Sequence, residues 1–113
     1  MPVYNETLRE IDLSINSILN QTYKNFELII VDDNPSSNKI KDYLINKSYN
    51  NSKIRLIFNK FNLKLVKSEN KGIRLSKGKF ILRMDADDIS ASDRLYKQIK
   101  FMRNNKLDLA CSN

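Results

Sequence analysis

From Phe26 to Val31 the chain is apolar at every position but Glu27, and the run ends on two aspartates, Asp32 and Asp33. Apolar residues at both odd and even positions mark a strand covered on both faces, which is the habit of parallel sheets. Parallel neighbours must be joined by crossover segments, usually helices. The flanking sequence supplies them. Thr7 and Glu10 stand as a capping box, and Leu8, Ile11, Ile15 and Ile18 then recur on one helical stripe before Gln21-Thr22-Tyr23 ends it. After Asp32-Asp33 a turn cluster, Asn34-Pro35-Ser36-Ser37, leads to a second helix from about Asn38 to Asn46, with Ile40, Tyr43 and Leu44 apolar. Tyr49 to Lys53 reads as a polar loop and Ile54 to Phe58 as a strand.

The second half continues the alternation. A third helix is expected over Leu65 to Ser76, with Val66, Ile73 and Ser76 available for packing, and Gly78 stands where it would stop. Phe80 to Met84 reads as the next strand, followed at once by Asp85-Ala86-Asp87-Asp88. Ser90 and Asp93 can cap a last helix carrying Leu95, Ile99 and Met102, and Leu107 to Cys111 opens another strand. The pattern predicts one α/β domain over residues 1–113, a Rossmann-like, mostly parallel sheet with helices on both faces. Ligands of such sheets bind beyond the carboxyl ends of the strands. That rule picks out the two acidic clusters, Asp32-Asp33 and Asp85-Asp87-Asp88, and predicts them on the same edge.

Composition narrows the chemistry. With 113 residues and 41% apolar content the chain can own a core. It has no histidine, so histidine metal sites and triads are excluded and any general base is a carboxylate. The single cysteine, Cys111, allows no internal disulfide and reads as a core residue, as in a reducing compartment. No run approaches the roughly 20 apolar residues of a membrane span, and the opening residues lack a signal-peptide pattern. The expected place is cytoplasmic, or peripheral at the inner face of the membrane. The net charge of +7 suits phosphorylated ligands, nucleic acid or plain solubility. The lysines are spread out and most aromatics fall in apolar patterns, so no nucleic-acid partner is expected.

Carboxylates crowded at a strand end repel one another unless a cation joins them. Oxygen-only ligands suit Mg²⁺, Mn²⁺ or Ca²⁺. In Asp85-Ala86-Asp87 the two aspartates can turn to one ligand while Ala86 stays out of the way. The plainer reading, caps and turns, suits Asp32 and Asp93 better.

Several segments, in order, resemble the family 2 glycosyltransferases of GT-A fold. They are Pro2-Val3-Tyr4-Asn5, Ser17 to Tyr23, Phe26 to Asp33, Asn70-Lys71-Gly72-Ile73, Gly78-Lys79-Phe80-Ile81 and Arg83 to Ser90 with its D-x-D motif. The resemblance implies transfer of a sugar from a nucleotide-diphosphate donor, such as a UDP-sugar, to an acceptor hydroxyl, as in polysaccharide biosynthesis. It places Pro2, Val3, Tyr4 and Asn5 at the donor, with Val3 and Tyr4 against the nucleobase. Asp33 would accept from the base, Asp85 would reach the ribose or the metal shell, and Asp87 would ligate Mn²⁺ or Mg²⁺. Lys64 stands where many members have glycine. It is either strained by a positive φ or a donor contact. Glu69 and Asn34-Pro35 also depart from the usual pattern. The family's first strand begins before a residue like Met1, and its base lies beyond a residue like Asn113. The chain is therefore expected to be the donor-binding portion of a longer protein with no catalytic base of its own, and an open sheet edge would suit a homodimer. Two other readings stay open: a non-catalytic remnant of such an enzyme, and a receiver-type signalling domain built on Asp32-Asp33 and Asp85 or Asp87.

Overall fold

The computed structural model describes residues 1–108. Its elements run β1 (Pro2–Val3), α1 (Leu8–Leu19), β2 (Leu28–Asp32), α2 (Asn38–Tyr49), β3 (Ile54–Phe58), α3 (Lys64–Leu75) and α4 (Arg94–Asn105). The three strands form a parallel sheet in the order β1-β2-β3, with Val3 opposite Asp32 and Asp32 opposite Phe58. The expected α/β class and parallel sheet are present. β2 lies in the middle, as its run of apolar residues requires.

Helices cover both faces. Ile11, Ile15 and Ile18 of α1 and Ile40 and Leu44 of α2 form one core with Val3, Leu28, Ile30 and Ile54. On the other face α3 comes close to β2 at Gly72. A Cβ there would sit 3.4 Å from Val31 Cγ2 and 3.8 Å from Ile29 Cγ2, so the missing side chain allows the close approach. The capping box at α1 forms as expected: Thr7 Oγ1 accepts from Glu10 N, and the Glu10 carboxylate accepts from Thr7 N at 2.7 Å. Glu27, the polar break in the central run, ties three elements at the foot of the sheet. It pairs with Arg55 of β3 at 2.6 Å and accepts from Lys77 N at 2.5 Å, just past α3.

Several expectations need correction. α2 runs on to Tyr49, so the loop before β3 is shorter than expected. The ladder of β2 starts at Leu28, because the amide of Phe26 turns back to Lys24 O. In α3 only Ser68 is buried, while Val66 and Ile73 are exposed. Asp93 occupies the N-cap of α4 without a side-chain cap bond, since its carboxylate pairs with Lys97 at 2.7 Å. The largest change concerns 80–84, which among the described residues joins no ladder. Two-residue β1 offers little to pair with, and Pro2 has no N–H to give. A cavity of about 660 Å³, lined by Ile29 and Val31 of the sheet and by Leu82 and Met84 of this segment, intervenes. Leu107 and Asp108 are not strand, and the rest of the expected last strand, with Cys111, lies outside the described residues.

The two core helices are also joined by a polar staple. Asp12 Oδ1 accepts from Tyr43 Oη at 2.5 Å and from Lys47 Nζ at 2.7 Å. These bonds hold the Asp12 carboxyl below the usual aspartate range. A depressed acid contributes stability above its unfolded pKa and loses it as pH falls through the folded one. Asp12→Asn is therefore expected to cost about 1 kcal/mol near neutral pH, typical of a half-exposed network. The gap from the parent should close as pH drops below the ordinary value of 3.8. Urea denaturation of both proteins across that range checks it.

Candidate functional site

The carboxyl ends of the strands bring Tyr4, Asp33 and Asn59 to one edge, each directly after its strand or one residue beyond it. Asp32 and Asp33 point apart, as neighbours at a strand end must. Asp32 is a turn residue: its Oδ1 accepts from Asn34 N at 3.0 Å, and burial pushes its carboxyl upward.

Asp33 is the centre of a buried polar knot. Its Oδ1 accepts from Leu63 N at 2.7 Å and from Asn59 Nδ2 at 2.8 Å. Asn59 Nδ2 also donates to Ser68 Oγ at 3.0 Å, and Asn59 Oδ1 accepts from Lys71 Nζ at 2.6 Å. Asp33, Asn59 and Ser68 are all buried. The second oxygen, Asp33 Oδ2, takes part in no hydrogen bond among the described residues. Asp33 as a whole keeps 3% of its surface exposed. One oxygen is thus fixed by the protein and the other is free to accept.

The residues around the knot divide by exposure. Val3 is fully buried in the core and offers a ligand its backbone neighbourhood only, while Tyr4 is 42% exposed and Asn5 is exposed. Asn34 Nδ2 donates to Tyr4 O at 2.7 Å and Asp33 N to Val3 O at 2.8 Å, which locks the Pro2–Asn5 segment to the end of β2. Lys64 is exposed and has φ 68°, so its backbone lies in the left-handed region that glycine prefers. Asn62 Oδ1 holds its amide at 3.1 Å.

The second acidic cluster is a separate turn. Ala86 is buried, whereas Asp85, Asp87 and Asp88 are exposed, and Asp88 N donates to Asp85 O at 3.3 Å. No side-chain hydrogen bond or ion pair among the described residues engages these three carboxylates. Backbone atoms of the turn and the loop after it are held by α1 and by Gln21 just past its end. Ser14 Oγ donates to Asp85 O at 3.1 Å, Ser17 Oγ accepts from Ser90 N at 3.0 Å, and Gln21 bonds Ala91 O and Leu95 N. No hydrogen bond or ion pair among the described residues joins this turn to the Asp33 knot. No three of His, Cys, Asp and Glu among the described residues converge into a closed metal cage. Two free carboxylates on an exposed turn do fit a hard divalent ion that keeps waters and shares ligand oxygens.

Sequence reasoning missed Asn59, Ser68 and Lys71, and the row Ser14, Ser17 and Gln21. Asn59 was findable, since it follows Ile54–Phe58 as Asp33 follows β2. The α1 row also had a signal, polar residues three and four apart beside the apolar stripe.

The sequence matches the family described as Glycosyl transferase family 2 over residues 1–113. A protein of Methanocaldococcus jannaschii named as an uncharacterized glycosyltransferase is 44% identical over 115 residues, covering 99% of this chain and 39% of its own length. Among solved structures, S. aureus TarS 1-349 in complex with UDP-GlcNAc superposes with a TM-score of 0.80 at 24% identity, covering 93% of this chain and 30% of that one. The mannosyltransferase PcManGT from Pyrobaculum calidifontis in complex with GDP-Man and Mn2+ gives 0.79 at 22% identity, covering 89% and 30%. These likenesses show the GT-A type of fold. The chain spans about a third of the length of the proteins it matches.

The knot yields two stability predictions. Lys64→Gly is expected to stabilise the protein by about 1 kcal/mol, because the left-handed backbone no longer strains a side chain. Asn59→Leu should destabilise by about 1–3 kcal/mol, because Asp33 and Lys71 lose a buried partner. Thermal unfolding of both variants checks the opposite signs.

Proposed function

The chain belongs to glycosyl transferase family 2, and we propose that it is the donor- and metal-binding domain of a longer enzyme that transfers a sugar from a nucleotide-diphosphate donor to an acceptor hydroxyl. The observation that carries this reading is the Asp33 carboxylate, buried at the end of β2 with Oδ1 fixed and Oδ2 without a hydrogen-bond partner among the described residues. A preorganised acceptor of that kind suits the imide N–H of a uracil ring. Tyr4 and the Pro2–Asn5 backbone would flank the base, and exposed Lys64 would approach the phosphates as a mobile cation. A UDP-sugar is therefore the donor we favour, in keeping with the UDP-GlcNAc carried by one fold neighbour.

Asp85 and Asp87 would hold Mn²⁺ or Mg²⁺, the former being the ion named with the Pyrobaculum enzyme. Bound there, the ion would supply positive charge against the diphosphate leaving group. This chain's own residues bind and orient the donor. The carboxylate that removes the acceptor's proton belongs to the part of the enzyme beyond these residues, as does the saccharide-binding surface. Among the described residues the outer edges of β1 and β3 carry no partner strand, and pairing of two copies along one of them belongs to the same proposal. No helix among the described residues is long and apolar enough to cross a membrane, and peripheral attachment at the inner face of one belongs to the same proposal.

Calorimetric titration of UDP with and without Mn²⁺ tests the reading. Metal-dependent binding is expected, and Asp87→Asn should abolish the gain that Mn²⁺ brings while leaving thermal stability in place. Failure of UDP to bind the folded protein in either condition would overturn the donor assignment.

A further inference from the structure

We propose that Gln21, with Ser14 and Ser17, positions the Asp85–Asp88 turn and the loop after it, and so sets how well that turn can hold a divalent cation. The cation part rests on the donor-site reading above. The placement rests on hydrogen bonds alone.

The loop between Asp85 and α4 joins no ladder among the described residues, and most of its residues are exposed. Its order must come from elsewhere. Ser14 and Ser17 are three apart, which puts them on one face of α1 beside the apolar stripe, and Gln21 follows two residues past the helix's last residue. All three bond the loop through its backbone. Ser14 takes Asp85 O, Ser17 takes Ser90 N, and Gln21 takes Ala91 O at 2.6 Å and Leu95 N at 3.0 Å. Thr22 N adds a fifth bond, to Ser92 O at 2.8 Å.

Gln21 is the strongest member of the row. It is fully buried, and its amide group is used on both sides: Nε2 donates to Ser17 O as well as Ala91 O, while Oε1 accepts from Leu95 N. Leu95 N is one of the first amides of α4, which have no partner within their own helix. Asp93 stands at the N-cap but makes no side-chain cap bond, so Gln21, just past the end of α1, does the capping from outside. The apolar stripe already fastens α1 to the sheet through Ile11, Ile15 and Ile18. The polar row is spent on the loop. It grips backbone only, and it leaves the carboxylates of Asp85, Asp87 and Asp88 free to face outward.

The test compares Gln21→Met, which keeps the volume and removes the bonds, with Ser17→Ala and with Leu44→Ala on α2 as a control for general destabilisation. Two readouts are taken: amide exchange at Ser90 and Leu95, and the Kd for UDP in the presence of Mn²⁺. Exchange at both amides should speed up in Gln21→Met beyond any change at Ile15. The Kd should rise roughly tenfold to a hundredfold, the usual effect of removing a partner behind a metal ligand. Leu44→Ala should leave the Kd as it was. Protected amides in a folded Gln21→Met protein, or a Kd shift that Leu44→Ala shares, would overturn the inference. Should Gln21→Met fail to fold, Ser17→Ala carries the same comparison at Ser90. A parent protein that ignores UDP and Mn²⁺ sinks the donor reading alone, and the exchange data then decide the placement.

Discussion

β2 is hydrogen-bonded along both edges and covered on both faces, with Val31 N reaching Met1 O at 3.0 Å on one side and Asn59 N reaching Asp32 O at 2.9 Å on the other. A strand so enclosed can carry charge only where it ends. Asp32 and Asp33 stand at that point and take opposite sides. One turns toward the α1–α2 layer and spends its carboxylate on the local turn. The other turns toward α3, where Asn59, Ser68 and Leu63 N have collected to receive it. Two identical side chains thus acquire different chemistry from the alternation of the strand.

The two acidic clusters are built by different physics. The Asp33 knot sits on the sheet, where the ladder fixes each backbone and side chains complete a buried network. The Asp85–Asp88 turn hangs from a helix by hydrogen bonds to its backbone, with Ala86 as its one buried side chain. The first arrangement gives a rigid acceptor. The second gives exposed carboxylates on a backbone that is held but not enclosed. Recognition of a flat ring asks for the former, and coordination of a hydrated ion tolerates the latter.

Much of this was legible in the sequence because local and global preferences agree. Thr7 and Glu10 form the cap they spell, Ile54–Phe58 has the bounds its pattern gives, and the apolar run from Phe26 marks the central strand. The suspicion attached to Lys64 was sound, since its φ is positive. The failures share a cause, which is that they depend on partners distant in the chain. The segment 80–84 has the composition of a strand, but a strand is a pairing, and the neighbour it would need is two residues long. Val66 and Ile73 have a helical period, yet on that helix it is Gly72 that meets Val31 and Ile29 of β2 and Ser68 that is buried against Asn59. Asp93 had every attribute of a cap and was drawn away by Lys97, leaving the position to Gln21, more than seventy residues earlier. Asn59 needed only the rule already applied to Asp33, extended to the next strand.

The polar suspension of the Asp85 loop has a thermal consequence. Apolar surface exposed on opening raises heat capacity and bends a stability curve, whereas polar surface lowers it. Detaching the loop from Ser14, Ser17 and Gln21 would uncover mainly amides, hydroxyls and one methyl group. Its opening equilibrium should therefore follow a nearly straight van't Hoff line, while global unfolding of the isoleucine-rich core curves. On cooling, the core's hydrophobic support weakens but the loop's attachment does not. The loop and the sheet would then have their best temperatures in different places.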